Sequence, residues 1–185
     1  MRLYIGLLHY PVYDKNHRKI ASAITTTDLH DISRLARTYG VKRFYVITPL
    51  EDQQELAERV LRHWKEGFGA SYNPNRKEAL ELASVVSSLE DAVSDIRSTE
   101  GESPLLIATD ASRKEGCLLD YEKATEIIGS DRVTLLIFGT AWGLERSVIR
   151  ESDYILDPVK GPTDYNHLSV RTAAGIILDR LAGRR

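Results

Sequence analysis

Residues 135–181 read LLIFGTAWGLERSVIRESDYILDPVKGPTDYNHLSVRTAAGIILDRL, and two apolar runs in this region each lead into a loop. The run 133–138 is followed by the small residues of 139–143. The run 154–156 is followed by a segment, 157–167, that contains Pro, Gly, Asp, Asn and His. Open α/β sheets bind small molecules in a crevice outside the carboxyl ends of their strands. We therefore expect these two loops to line such a crevice.

The rest of the chain alternates short apolar runs with amphipathic segments. Further strands are predicted at 3–8, 43–48 and 105–108. Helices are predicted at 29–39 with Asp28 as the N-cap, and at 51–65, 77–87, 89–97, 121–128 and in the C-terminal segment. The segments 12–27 and 70–76 are expected to be loops, the first of them functional because of its length. This alternation predicts one α/β domain over 1–185, with a mostly parallel sheet and helices on both faces.

Composition limits the classes of function. The 185 residues are 42% hydrophobic and carry a net charge of −2, so no overall field attracts nucleic acid or a membrane. RNA binding would need a local basic patch, for which the cations between 18 and 43 are candidates. The single cysteine indicates a reducing compartment, and no apolar stretch approaches the ~18 residues of a membrane span. We expect a cytoplasmic protein that binds no metal, because the histidines lack ligand spacing.

The loop 139–143 matches neither of two common nucleotide-binding patterns. Gly139 and Gly143 are separated by three residues without a third glycine that opens a helix, so the dinucleotide fingerprint is absent. The phosphate-binding pattern GxxxxGK[ST] is absent as well. Taken alone, the loop is equally compatible with a ligand-binding loop and with a plain strand-to-helix turn.

Longer strings carry a resemblance to a known family. FGTAWGL at 138–144 and YNHLSVRTAA at 165–174 resemble the last two motifs of the SPOUT (α/β-knot) RNA methyltransferases, and HDISR at 30–34 is similar to their first motif. Four strings resemble a small bacterial SPOUT family of predicted S-adenosylmethionine-dependent RNA methyltransferases. They are HYPVYDKN at 9–16, HDISRLARTYGV at 30–41, YNPNRKEAL at 72–80 and DYNHLSVRTA at 164–173. The resemblance covers essentially the whole chain.

The resemblance implies a C-terminal deep trefoil knot, a homodimer, S-adenosyl-L-methionine as cofactor and tRNA or rRNA as substrate. It implies that loops at three strand ends bind the cofactor. The expected cofactor-binding residues are Thr109, Asp110, Ile137, Phe138, Gly139, Trp142, Gly143, Leu144, Ile155, Val159, Gly161, Asn166, His167 and Leu168.

The same resemblance implies roles in catalysis. Arg34 matches the arginine of the first motif, which serves the acceptor side, and Asn166 matches the asparagine of the third motif. His30 is a further acid–base candidate. Arg37 and Arg76 are expected to bind RNA. Four of these residues also have a plainer interpretation. Arg34 could be a surface arginine paired with Asp31 or a glutamate elsewhere, and His30 could be a capping or packing histidine. Asn166 could only cap the last helix, and Arg76 could be solvated.

One departure from the family pattern concerns the acceptor atom. Many SPOUT ribose methyltransferases carry a glutamate in the loop occupied here by residues 140–142, and this chain has none there. The prediction is therefore methylation of a base rather than of ribose. Two alternatives stay open: a non-catalytic knot protein that binds RNA or a partner protein, and an unknotted Rossmann-like nucleotide enzyme, against which the missing glycine fingerprint counts.

Overall fold

The computed structural model describes residues 1–112 and 116–184. The nine strands of this described part are β1 (Leu3–Leu8), β2 (Val12–Tyr13), β3 (Lys19–Ile20), β4 (Phe44–Ile47), β5 (Ala83–Val86), β6 (Leu105–Thr109), β7 (Leu118–Leu119), β8 (Thr134–Gly139) and β9 (Tyr154–Leu156). Its eight helices are α1 (Thr26–Thr38), α2 (Glu51–Lys65), α3 (Phe68–Tyr72), α4 (Pro74–Leu80), α5 (Leu89–Glu100), α6 (Tyr121–Gly129), α7 (Arg146–Glu151) and α8 (Val170–Ala182).

Seven strands form one parallel sheet in the order β5-β4-β1-β8-β6-β9-β7, and β2 and β3 form a separate antiparallel hairpin. β9 pairs with β6 on one side and with β7 on the other, although it follows both in the chain. The predicted parallel α/β sheet is confirmed.

Helices cover both faces of the sheet. Along β1, Leu3, Ile5 and Leu7 pack with α1, α2, α4, α6 and α8, whereas Tyr4 and Leu8 pack with α5 and α7. All six residues of β1 are buried, as expected for a strand covered on both sides. Each large aliphatic side chain buried this way contributes roughly 1.5–3 kcal/mol of stability. The carboxyl ends of the central strands are therefore fixed by a rigid core.

The predicted helix 77–87 is wrong in its second half. α4 ends at Leu80, and β5 pairs with β4 through Val46 with Val85 and Ile47 with Val86. The β-branched side chains of this segment prefer a strand, and the free edge of β4 provides the partner. The predicted loop 70–76 is likewise replaced by the end of α3 and the start of α4, because Asn73 caps α4 through a 3.0 Å hydrogen bond from the Arg76 amide.

The predicted N-cap of the first helix is also wrong. α1 begins at Thr26, and the hydroxyl of Thr25 accepts a hydrogen bond from the amide of Asp28 at 3.2 Å. Asp28 lies inside the first turn and is only 6% exposed. Because Thr25 caps the helix, the Asp28 carboxylate can interact with a residue outside α1.

Candidate active site

Four adjacent strands end at one edge of the sheet. Leu8 of β1 pairs with Gly139 of β8, and Thr109 of β6 pairs with Leu156 of β9. Because these strands are parallel, the segments 9–25, 110–112, 140–145 and 157–169 all leave from this edge. This is the position at which an open α/β sheet binds small molecules.

The loop after β8 has a tightly folded backbone. A Cβ atom on Gly139 would lie 2.8 Å from the backbone nitrogen of Leu144, closer than atoms can approach. Ala141 and Gly143 have φ angles of +50° and +97°. Such left-handed conformations favour small residues. The backbone of this turn therefore explains the small residues at 139, 141 and 143.

The β2–β3 hairpin holds this loop in place. The Trp142 amide donates to the Tyr13 carbonyl at 2.9 Å, and the Tyr13 amide donates to the Gly143 carbonyl at 3.0 Å. The Thr140 hydroxyl donates to the Leu8 carbonyl at 2.9 Å and lies 2.5 Å from the Ser22 hydroxyl. The segment predicted as a long loop at 12–27 thus contains a hairpin that positions the loop 139–143.

Three of the strand-end loops meet. A Cβ atom on Gly143 would lie 3.4 Å from a carboxylate oxygen of Asp110. Asp110 in turn accepts hydrogen bonds from the amide and hydroxyl of Ser112 at 2.8 and 2.7 Å. The side-chain amide of Asn166 donates to the carbonyl of Ala111. The structure therefore brings Asp110, Gly143 and Asn166 together, as the sequence predicts.

The polar groups of this region suit an adenosyl ligand. From 159 to 167, no backbone amide or carbonyl forms a hydrogen bond with any residue that the structure describes. Leu168, the next residue, is 43% exposed, and Trp142 in the loop after β8 is 64% exposed. Free backbone donors and acceptors beside exposed apolar side chains are what a base edge and ribose hydroxyls need. The residues present therefore fit an adenosine-containing cofactor.

Other predicted cofactor residues lie deeper. The side chains of Ile137, Phe138, Leu144 and Ile155 are at most 2% exposed and belong to the core. The Thr109 hydroxyl donates to the Ile137 carbonyl at 2.9 Å. Because their side chains are buried beneath the strand ends, these residues can contact a ligand at this edge only through their backbone groups.

The remaining predicted residues lie on the segment 157–169. Val159 packs against the core, Gly161 is exposed with open space around it, and the His167 ring stands edge-on to the Tyr165 ring at 5.3 Å.

The predicted acceptor residues lie on α1. Arg34 is exposed, and its guanidinium forms no hydrogen bond or ion pair with the described residues. His30 is half-buried, with its ring 5.3 Å from the Trp64 ring. Burial, followed by the charge of Arg76, lowers the pKa of His30, so the ring is neutral near pH 7. No hydrogen bond, ion pair or ring contact among described residues joins Arg34 or His30 to the three loops.

The predicted RNA-binding arginines have partners of different kinds. Arg37 forms an ion pair with Glu78, and both side chains are exposed. The Arg76 guanidinium lies 4.5 Å from the centre of the Trp64 ring, a cation–π contact.

Two features of this edge were not predicted. Arg171 of α8 lies 2.7 Å from Asp28 and 3.3 Å from Asp31, both on α1. His9 is 1% exposed, lies 3.0 Å from the Ser22 hydroxyl through Nδ1, and has no described partner at Nε2. Burial lowers the pKa of His9 to about 4. His9 lies in the family-like string at 9–16 and Arg171 in that at 164–173, and this position in the strings was the sequence signal that could have indicated them.

Neither a metal site nor a membrane span is found over 1–112 and 116–184. Within these residues no three His, Cys, Asp or Glu side chains are grouped so as to hold a metal ion. No helix there has the length and apolarity to cross a bilayer.

Comparison with known proteins gives the family. A family model described as SAM-dependent RNA methyltransferase matches residues 2–183. The chain belongs to this family. Its fold also resembles the crystal structure of the Aquifex aeolicus TrmH/SpoU tRNA modifying enzyme, with a TM-score of 0.58 at 16% identity over 98% of this chain and 74% of that one.

Two relatives differ in length. A protein of Oleidesulfovibrio alaskensis named tRNA (guanine-N(1)-)-methyltransferase is 44% identical over 98% of this chain, but the match covers 42% of that protein. The chain thus spans less than half of that relative. An uncharacterized protein of Aquifex aeolicus is 39% identical over 98% of this chain and 89% of its own length. The family rests on matches to the whole of this chain.

Proposed function

We propose that this S-adenosylmethionine-dependent RNA methyltransferase modifies a base in tRNA, with rRNA as the second candidate, and works as a cytoplasmic homodimer. The observation that carries the proposal is the meeting of three strand-end loops at Asp110, Gly143 and Asn166. The tRNA assignment is supported by the names of the Oleidesulfovibrio relative and of the Aquifex TrmH/SpoU neighbour.

The cofactor site consists of the free backbone groups of 159–167 with the loop 139–143. Leu168 and Trp142 supply apolar walls, and the buried Ile137, Phe138, Leu144 and Ile155 hold the backbone rigid beneath them. S-adenosylmethionine supplies an electrophilic methyl group on a sulfonium. The protein contributes position, because fixing donor and acceptor in line removes much of the entropic barrier.

Arg34 and His30 serve the acceptor. The unpaired guanidinium of Arg34 is available to a phosphate or to charge that develops on the base. Because its pKa is lowered, the His30 ring is unprotonated near pH 7 and presents a nitrogen lone pair to the acceptor. Because these residues do not touch the three loops within one chain, a second copy that supplies the acceptor side explains both the dimer and the separation.

A base is favoured over ribose by the carboxylates of the loop after β8. Residues 140–142 contain none, and the next carboxylate along the chain, Glu145, is engaged as the N-cap of α7. It accepts hydrogen bonds from the Ser147 amide at 2.9 Å and from the Tyr13 hydroxyl at 3.0 Å. The hydrogen bond from the Ser147 hydroxyl is the main cause of a Glu145 pKa near 2. A carboxylate this weakly basic is a poor base for a ribose hydroxyl.

The deep trefoil knot belongs to the same proposal. β6 and β7 are joined by the segment 110–117, and β9 lies between them. The chain then continues to α8, which packs on α1 and α6. The hydrogen bond from Asn166 to the Ala111 carbonyl brings the segment 157–169 against residues that directly follow β6, and this contact supports the knot.

The proposal is tested by binding and by turnover. Calorimetry with S-adenosylmethionine and with its demethylated product is expected to give binding by both; absence of binding at millimolar ligand would refute the cofactor site. Radioactive methyl transfer to bulk tRNA and rRNA from a strain that lacks the gene is expected to label tRNA. Mass spectrometry of the labelled nucleosides then distinguishes base from ribose.

A non-catalytic RNA-binding role is the second candidate. It is favoured by the absence of any described contact between Arg34 or His30 and the three loops. Cofactor and RNA binding without any methyl transfer would support it over the enzyme.

A further inference from the structure

Two aromatic rings on α3 lie against each other and open to solvent. Phe68 and Tyr72 are each 73% exposed, and their rings stack with centroids 5.7 Å apart at 24°. Exposed aromatic pairs are costly in water, because each ring would otherwise bury 150–250 Å². Such a patch marks a contact surface.

The helix that carries the pair is fixed by close packing. A Cβ atom on Gly69 would lie 2.6 Å from the Trp64 ring and 3.1 Å from the His63 ring, so the α3 backbone sits directly on both. Trp64 is held in turn by the Arg76 guanidinium at 4.5 Å and the His30 ring at 5.3 Å. The packing around Gly69 and Trp64 therefore fixes α3 in a position that leaves the rings of Phe68 and Tyr72 exposed to solvent.

Cations lie on α2, just before the helix that carries the pair. Arg59, Arg62 and His63 line a shallow depression of about 350 Å³ together with Glu66 and Gly67, the residue before Phe68. Neither arginine side chain forms an ion pair or hydrogen bond with the described part of the chain. Their charges are available to a negatively charged partner.

We propose that Phe68, Tyr72, Arg59 and Arg62 form a stacking platform for unpaired nucleotides of the RNA substrate; this rests on the proposed function and deepens it. Aromatic faces beside unpaired cations are how proteins bind single-stranded nucleic acid, because bases stack while the cations meet phosphates. The platform continues through Trp64 and Arg76 to His30. A strand bound there is led towards the predicted acceptor residues.

A second copy of the chain is a poorer occupant of this surface. In a two-fold interface the same patch faces itself, so Arg59 and Arg62 of both copies would be brought together. Like charges placed opposite each other disfavour that contact. RNA neutralises the same cations.

The aromatic contribution is tested by fluorescence anisotropy with a labelled oligouridylate and an RNA duplex of equal length. Phe68→Ala/Tyr72→Ala is expected to weaken oligouridylate binding at least about tenfold, since stacking contributes about 1–3 kcal/mol per base. Duplex binding should change less than about twofold, because paired bases do not offer their faces. Phe68→Leu/Tyr72→Leu should weaken binding as well, because leucine keeps apolar area without a planar face.

The contribution of the arginine charges to RNA binding is tested separately, with a control variant on the same helix. The aromatic double variant should leave the salt dependence of binding unchanged, whereas Arg62→Gln should reduce its logarithmic slope by about 0.7. Leu56→Ala removes another exposed side chain of α2, 38% exposed, and should have no effect on RNA binding. S-adenosylmethionine affinity should be unchanged in every variant.

Three results would overturn the platform. Unchanged oligouridylate affinity in Phe68→Ala/Tyr72→Ala would do so while leaving the proposed function intact. Conversion of a dimer to a monomer by that variant, measured by light scattering, would assign the patch to an interface between copies. Failure of the unaltered chain to bind any RNA would refute the proposed function and the platform with it.

Discussion

The guanidinium of Arg171 lies 2.7 Å from the carboxylate of Asp28, and this ion pair joins the first turns of α8 and α1. The Asp28 side chain is 9% exposed and that of Arg171 35%. The pair ties the helix that follows the segment 157–169 to the helix that carries Arg34. Removal of one partner from such a pair leaves a poorly solvated charge behind.

We expect Arg171→Met to lower the free energy of unfolding by about 2–4 kcal/mol, because it leaves the Asp28 carboxylate without its partner. Asp28→Asn should cost less, since Arg171 is partly exposed and keeps Asp31 at 3.3 Å. Urea denaturation measures both. Lys77→Met, which removes an exposed 3.9 Å pair with Glu81, serves as control and should change stability by less than about 0.5 kcal/mol. Equal losses in all three variants would contradict this order.

Gly139→Ala is expected to disturb the cofactor loop. The added methyl group would lie 2.8 Å from a backbone atom of Leu144, so the turn must shift. We expect a loss of about 1–3 kcal/mol in stability and a weaker S-adenosylmethionine affinity in calorimetry. Gly129→Ala in the last turn of α6 is the matched control, because its methyl group would also enter open space and it lies outside the cofactor loops. Normal cofactor affinity in Gly139→Ala would argue against this loop as part of the site.

Arg34→Ala is expected to reduce methyl transfer by about 10²–10³ while cofactor affinity changes only a few-fold, because Arg34 acts on the acceptor. Single-turnover transfer and calorimetry measure the two quantities separately. Arg97→Ala removes an exposed arginine of α5, which packs on the opposite face of the sheet from α1, and should retain most activity. Parallel loss of transfer and of cofactor affinity would show that Arg34 belongs to the cofactor site instead.

Stability should fall as the pH drops from about 6.5 to about 4. His9 binds a proton near pH 6.5 when unfolded but only near pH 4 when buried, so the unfolded chain holds more protons in this window. The shift corresponds to about 3 kcal/mol in total. His30, whose pKa is also lowered, adds to the same trend.

The His9→Asn variant isolates the contribution of His9. Asparagine can still reach the Ser22 hydroxyl but does not titrate, so the variant should lose less stability on acidification than the unaltered chain. Urea denaturation at a series of pH values provides the comparison. Two curves that run parallel from pH 6.5 to 4 would contradict the assignment.

The sequence predicts the central strands well because their apolar runs are continuous. Residues buried on both faces of a sheet leave no room for polar ones, so β1 and β8 stand out. β5 was missed because ALELAS reads as a helix, and only the free edge of β4 selects the strand. β7 and α7 are too short for any periodicity.

The site was predicted less completely, because its interactions join residues that are far apart in the sequence. Asp28 and Thr25 are both good N-caps, and the choice between them depends on Arg171, far away in the chain. The role of His9 likewise depends on Ser22 and Thr140. The family-like strings indicate where the chemistry is expected, but only the fold shows which side chains face each other.

The place of β9 between β6 and β7 has a consequence for biosynthesis. A ribosome makes both neighbours first, so the nascent sheet has an empty slot beside β6, and β7, at the sheet edge, gains its partner only when β9 emerges. Closing that slot joins residues distant in sequence, which is slow. Until then the open flank of β6 presents unpaired backbone amides and carbonyls, on which a strand of another chain can pair.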